Sequence, residues 1–119
     1  LEEPVHLPFS KKSTDNWIYV DDCAEQLVRL ALKDKLNFSS YNTGSQTVTG
    51  EELDKTVKKI LPNAEIYFDE KNLRTPLIDD QDDSRIRKEI DFYPRSFAEG
   101  VRALINDARK ANNLPSIKA

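Results

Sequence analysis

Residues 16–32, NWIYVDDCAEQLVRLAL, pass from strand chemistry to helix chemistry with no loop between. Trp17-Ile18-Tyr19-Val20 is aromatic and β-branched, the composition of a buried strand. Asp21-Asp22 stops that run, and Ala24, Leu27, Val28 and Ala31 then recur at helical spacing. Asp22 with Glu25 three residues on imitates a capping box, which offers acceptors to the free N–H groups of a helix start. A joint this sharp commits the chain to a mixed fold in which a strand feeds directly into a helix.

The remaining segments extend that pattern. Residues 1–16 hold two prolines and a polar run, and read as an extended lead-in with His6 in a strand or loop. Tyr41-Asn42-Thr43 reads as a short strand over 40–43, and Gly44 as a turn residue with positive φ. Thr49 with Glu52 is a full capping box, opening a helix whose face is Leu53, Val57 and Ile60-Leu61 and which Pro62 stops. AEIYF, residues 64–68, has the alternation and β-formers of a third strand. SRIRKEI forms a short helix from Ser84, with Asp82 or Asp83 near its positive end. Ser96 with Glu99 is another capping box, and the last helix carries Phe97, Val101, Leu104, Ile105 and Ala108 on one stripe. Residues 112–119 form a tail beyond it. The fold class is α/β with an α+β-like layout: about three short strands and four helices around a thin core.

Composition narrows the classes of function. A chain of 119 residues makes one domain, and 33% charged residues with a net charge of −3 give a mildly acidic surface. No basic cluster provides a nucleic-acid footprint. No apolar run exceeds five residues, so no membrane-spanning helix is expected, and the N-terminus lacks signal-peptide layout. A lone cysteine, Cys23, rules out an internal disulfide and fits a reducing compartment such as the cytoplasm. Methionine is absent even from position 1, which implies a processed product or a piece of a longer chain.

Few residues offer chemistry. The three glycines, Gly44, Gly50 and Gly100, are too far apart for a phosphate-cradling loop, so no cofactor is expected to bind this chain by that means. Tyr67 and Lys71 have the Tyr-x-x-x-Lys spacing of short-chain dehydrogenases, which works only on a helix. In the strand-like EIYF the two lie more than about 12 Å apart at the usual rise, so Tyr67 reads as a strand residue. The acidic run IDDQDDS fails as a calcium loop because, counting from Asp80, positions six and twelve are Arg85 and Asp91. No cysteine–histidine cluster has zinc spacing. Arg74, Arg85 and Arg87 are candidates for an anionic ligand, Arg74 foremost because Pro76 stiffens its loop.

Taken in order, four blocks resemble a known family. NWIYVDDCAEQLVRLAL is similar to the R-D-F-V-H-V-D-D-x-A stretch of extended short-chain dehydrogenases, the NAD-dependent epimerase/dehydratase family. YNTGS resembles that family's YN-x-G strand, and VTGEELDKTVKKILP the helix after it. DDSRIRKEIDFYPRSFAEGVRALI resembles its D-x-S-K-x-x-x-x-L-G-F-x-P ending, over a match spanning residues 8–110. The resemblance implies a C-terminal substrate-binding lobe over 17–111, not catalytic by itself. The NAD or NADP site and the Tyr/Lys pair then belong to an N-terminal Rossmann portion, whose sheet the strand at 40–43 joins. It also implies that the Asp21-Asp22 corner is structural, with its carboxylates holding backbone amides. Arg74, Trp17 and Asp15 fall at substrate-binding positions. Asp15 stands where sugar-nucleotide epimerases carry arginine, Leu77 replaces an acidic companion of Arg74, and Asp91 replaces a turn glycine while tolerating its positive φ. The implied substrate is a nucleotide sugar or a smaller hydroxylated molecule. The alternative is a non-catalytic interaction or regulatory module derived from that lobe. Either way, an exposed strand edge at 40–43 is expected to drive self-association.

Overall fold

The computed structural model describes residues 3–73 and 81–118. Among the described residues four strands and four helices follow in the order β1 (Val5–Leu7), β2 (Thr14–Trp17), α1 (Val20–Ala31), β3 (Gln46–Thr49), α2 (Gly50–Ile60), β4 (Ile66–Phe68), α3 (Ser84–Ile90) and α4 (Phe97–Ala111). The strands form two separate pairs, a mixed α/β arrangement of small sheets. β1 runs parallel to β4, with His6 opposite Tyr67, and β2 runs antiparallel to β3, with Thr14 opposite Thr49 and Trp17 opposite Gln46.

Three of the described helices, α2, α3 and α4, start where side chains supply acceptors. Thr49 and Glu52 exchange both capping bonds at α2, and Ser96 and Glu99 do so at α4. At α3 the Asp82 carboxylate accepts from Ser84 N at 3.0 Å. That helix ends at Asp91, in the left-handed region at φ 46° and ψ 50°, where an aspartate stands in for glycine. Beyond α4 the tail folds back. Asn106 donates to the Ile117 carbonyl at 3.0 Å and accepts from its N–H at 2.7 Å.

Strand positions depart from the sequence reading. The strand expected at Trp17–Val20 lies instead at Thr14–Trp17, and α1 begins at Val20. The lead-in expected over 1–16 contains β1 and most of β2. Residues 40–43 form no strand; the strand lies at Gln46–Thr49, where Val48 is buried and two threonines flank it. Pairing decides these shifts, because the β2–β3 ladder runs from Thr14–Thr49 to Trp17–Gln46 and hydrogen-bond partners override local propensity. Gly44 does not adopt positive φ. Its role is clearance, since a Cβ there would lie 3.2 Å from Asp83 Oδ2 and 3.3 Å from Gln26 Oε1.

Polar groups share the interior with apolar ones. Among the described residues only Val48, Ile60, Ile86 and Ile90 are buried large hydrophobics, while Ser10, Ser13, Asp22, Gln26, Asp54 and Glu89 are buried as well. Every such polar group must find a partner to be tolerated. Glu89 accepts from the backbone and side chain of Asn37 at 3.1 and 2.8 Å, tying the post-α1 connection to α3. Asp54 on α2 lies 2.9 Å from Lys58 and 3.6 Å from Lys11. The radius of gyration is 16.6 Å and the smallest extent 19 Å. A compact domain of this length has a radius of about 13.5 Å, so the molecule is a slab rather than a ball.

A close backbone approach joins the turn at 10–13 to the start of α2. Gly50 N donates to Ser13 O at 2.9 Å and Glu51 N to Lys11 O at 3.0 Å. A Cβ at Gly50 would sit 2.9 Å from Lys11 Cα and 3.0 Å from Ser10 O, both backbone atoms that cannot swing away. Gly50→Ala is therefore expected to lower stability by about 1–3 kcal/mol in urea unfolding, although alanine is the better helix former.

Candidate functional site

The joint between β2 and α1 forms one wall of an open cleft of about 80 Å³. Trp17, Ile18 and Tyr19 come from the joint, Gln46 from β3, Pro94 and Arg95 from the turn before α4, and Phe97, Val101 and Leu104 from α4 itself. The walls are mainly apolar. Trp17 meets Phe97 edge to face, with centroids 6.4 Å apart at 61°. Gly100 lets α4 approach, since a Cβ there would lie 3.3 Å from Tyr19 Cβ.

One polar network holds the wall in place. Asp22 is buried on the inner side of α1, and its carboxylate accepts from Arg95 N at 3.0 Å and Arg95 Nε at 3.1 Å. The guanidinium of Arg95 in turn lies 4.5 Å over the Tyr19 ring. Tyr19 donates its hydroxyl to Asp107 on α4, 88 residues along the chain. That bond, with the negative charge of Asp107 and partial desolvation, raises the Tyr19 phenol from its ordinary 10.0 to about 12. Tyr19 is therefore a proton donor at neutral pH and cannot serve as a base. Next to Asp22 on α1, Gln26 accepts from Gly44 N at 2.6 Å and donates to Asp22 O at 3.2 Å.

The expected capping role of Asp22 with Glu25 does not occur. α1 starts three residues earlier, with Tyr19 at its N-cap and no side-chain cap, leaving Asp22 inside the first turn and free to take Arg95. Glu25 pairs instead with Arg29 at 2.8 Å.

Of the residues singled out for substrate, the structure places two together. Asp15 and Trp17 lie two apart on β2 and both line a small recess, with Phe9, Val48 and Leu53, that shares Trp17 with this cleft. Asp15 accepts from Asn16 N at 3.0 Å. Arg74 lies outside the described residues. Arg85 stacks over Phe38 at 4.5 Å and Arg87 pairs with Asp83 at 2.8 Å, so each has a local partner away from the cleft. Tyr67 sits in β4 stacked on His6 at 5.0 Å. Among the described residues no group of three or more His, Cys, Asp or Glu side chains is placed to hold a metal, and no helix is long and apolar enough to cross a membrane.

Sequence reasoning missed Arg95, Tyr19 and Asp107. The one local signal was Pro94-Arg95 directly before the Ser96 capping box, a position that fixes the arginine at the mouth of a helix. The assembled cleft can seat an apolar or planar group; it presents no nucleophile paired with a base. No protein-family model matches the chain, and no curated protein matches it.

Two measurements probe the network. Asp22→Ala strands the Arg95 amide and guanidinium, and is expected to cost about 2 kcal/mol in urea unfolding, with one partner already half in water. Because the Tyr19 phenol titrates higher folded than unfolded, its bond contributes stability that is fully present below pH 10.0 and is lost as pH climbs through about 12. In Asp107→Asn the Tyr19 transition, isolated by difference against Tyr19→Phe in ultraviolet titration, is expected to fall toward 10.0.

Proposed function

We propose that the chain is the C-terminal substrate-binding lobe of an NAD(P)-dependent epimerase/dehydratase of the extended short-chain dehydrogenase family, without catalytic activity of its own. The observation that carries this reading is the hold of Asp22 on Arg95, across 73 residues. The two lie in separate blocks of the family resemblance, the VDD corner and the DFYPRS turn, and an aspartate of that corner holding a backbone amide is what the resemblance implies. The left-handed Asp91, standing where the family pattern has glycine, supports the same alignment of blocks.

In this reading NAD or NADP and the Tyr/Lys pair reside in an N-terminal Rossmann portion, and the present chain supplies a wall of the substrate site. The wall favours a particular class of substrate. Its one guanidinium is already engaged by Asp22 and Tyr19, and Asp15 adds negative charge in the adjoining recess. A diphosphate gains little there, whereas a smaller hydroxylated molecule with an apolar face can rest on Trp17 and Phe97.

The test is to determine the coding sequence upstream of Leu1. The expected result is a glycine-rich strand–helix turn followed by a helical Tyr-x-x-x-Lys. An unrelated upstream domain, or a Rossmann portion without that pair, would overturn the reading. In the longer enzyme Trp17→Ala is expected to raise the substrate KM about tenfold while leaving the cofactor KM unchanged.

A further inference from the structure

Among the mainly apolar walls of the cleft stands one uncharged amide. Gln46, on β3 opposite Trp17, lines the cleft, and its Nε2 donates to the Arg95 carbonyl at 3.0 Å. A carbonyl only accepts, so this bond fixes which way the amide lies and leaves Oε1 as an oriented acceptor. Among the described residues Gln46 Oε1 has no hydrogen-bond partner. The other polar side chains of the lining are engaged. Asp22 and the Tyr19 ring hold Arg95, Asp107 takes the Tyr19 hydroxyl, and Ser96 serves the α4 cap.

Shape and charge limit what fits beside that acceptor. The Trp17 and Phe97 planes meet at 61°, so a flat ring set against one lies near edge-on to the other, a favoured geometry for aromatic contact. The cleft, at about 80 Å³, takes part of a single ring, since a cavity that holds benzene outright measures about 150 Å³. An anion would compete with Asp22 for Arg95, and a cation meets no carboxylate in the lining. A neutral ring whose hydroxyl donates to Gln46 Oε1 satisfies each of these limits.

We propose that Gln46 is the specificity-determining residue of the cleft, accepting a hydrogen bond from the hydroxyl of a neutral ring that packs on Trp17 and Phe97. The role of that ligand as substrate rests on the reading of the chain as a substrate-binding lobe; its binding to the chain does not. Without Gln46 the walls would take any small hydrophobe. With it, a ring lacking the hydroxyl covers Oε1 and gives it no donor, which the site resists.

Trp17 is the only tryptophan, so its indole N–H gives a single nuclear magnetic resonance signal that reports on the cleft. The isotope-labelled full chain is titrated at neutral pH with p-cresol, whose phenol is then uncharged, and with p-fluorotoluene, a ring of similar size without the donor. p-Cresol is expected to shift the indole signal saturably. Its preference over p-fluorotoluene is expected to fall about fivefold in Gln46→Leu, the loss of one neutral hydrogen bond. Were Gln46 only a brace for the turn before α4, the substitution would weaken both probes alike and leave their ratio unchanged, which would overturn the proposal. In the unsubstituted chain, nuclear Overhauser contacts are expected from the Gln46 amide protons to the ring protons beside the hydroxyl and not to the methyl group. The reverse orientation, or an indole signal unmoved by p-cresol, would overturn the proposal with no variant needed. These results are read on the chain alone. An upstream sequence without a Rossmann portion overturns the enzymatic reading and leaves the Gln46 preference standing.

Discussion

The buried carboxylate of Asp22 organises the molecule around it. It fixes the backbone amide and guanidinium of Arg95, which sets the turn before α4 and lays Arg95 against Tyr19. Its neighbour one turn on, Gln26, fixes Gly44 and with it the approach to β3. Among the described residues α1 buries no apolar side chain fully; hydrogen bonds attach it to the rest. Such attachment is unforgiving, because a buried donor left without its acceptor costs more than the bond contributes when made. It is also specific, since only one placement of α1 satisfies Asp22 and Gln26 together. A greasy face tolerates sliding by a turn; two buried polar side chains with fixed partners do not.

That economy explains what sequence alone could show. The capping boxes at Thr49–Glu52 and Ser96–Glu99 were legible because their partners lie three residues apart, so the sequence contains the whole interaction. The helix of SRIRKEI and the left-handed tolerance of Asp91 were legible for the same reason. The strands were displaced because a strand is defined by its partner. Trp17-Ile18-Tyr19-Val20 has better strand composition than Thr14–Trp17, yet the partner QTVT offers its ladder three residues earlier. Asp22 and Glu25 imitated a cap because the pattern is local, whereas the stronger partner, Arg95, is not.

The site divides along the same line. Trp17 and Asp15 could be named from the family resemblance, and two-residue spacing on a strand put them on one face. Tyr19, Arg95 and Asp107 could not, since their meeting depends on how α1, the Pro94 turn and α4 converge. Nothing in the tyrosine's surroundings along the chain indicates an acceptor 88 residues away. Family likeness carries residue types at positions, but it does not carry departures. Arg95 is engaged by Asp22 and stacked on Tyr19 within the chain, an arrangement that residue types at aligned positions do not reveal.

The slab shape and the exposed apolar stripe of α1, which carries Val20, Leu27 and Val28, are two aspects of one constraint. With so few apolar side chains turned inward, the interior between α1 and the α3–α4 turn is stitched by charge and amide groups, which demand fixed geometry. The apolar stripe of α1 is then left on the opposite side, where water is the alternative to a partner. Covering that stripe restrains the same helix that carries Asp22, and so restrains Arg95 and the Tyr19 wall of the cleft. The two sides of α1 are 12 residues of a single rigid element. Whatever orders its outer face also reduces the local opening that would release the inner hydrogen bonds. Order on the outer face of α1 and the shape of the cleft are in this way mechanically linked.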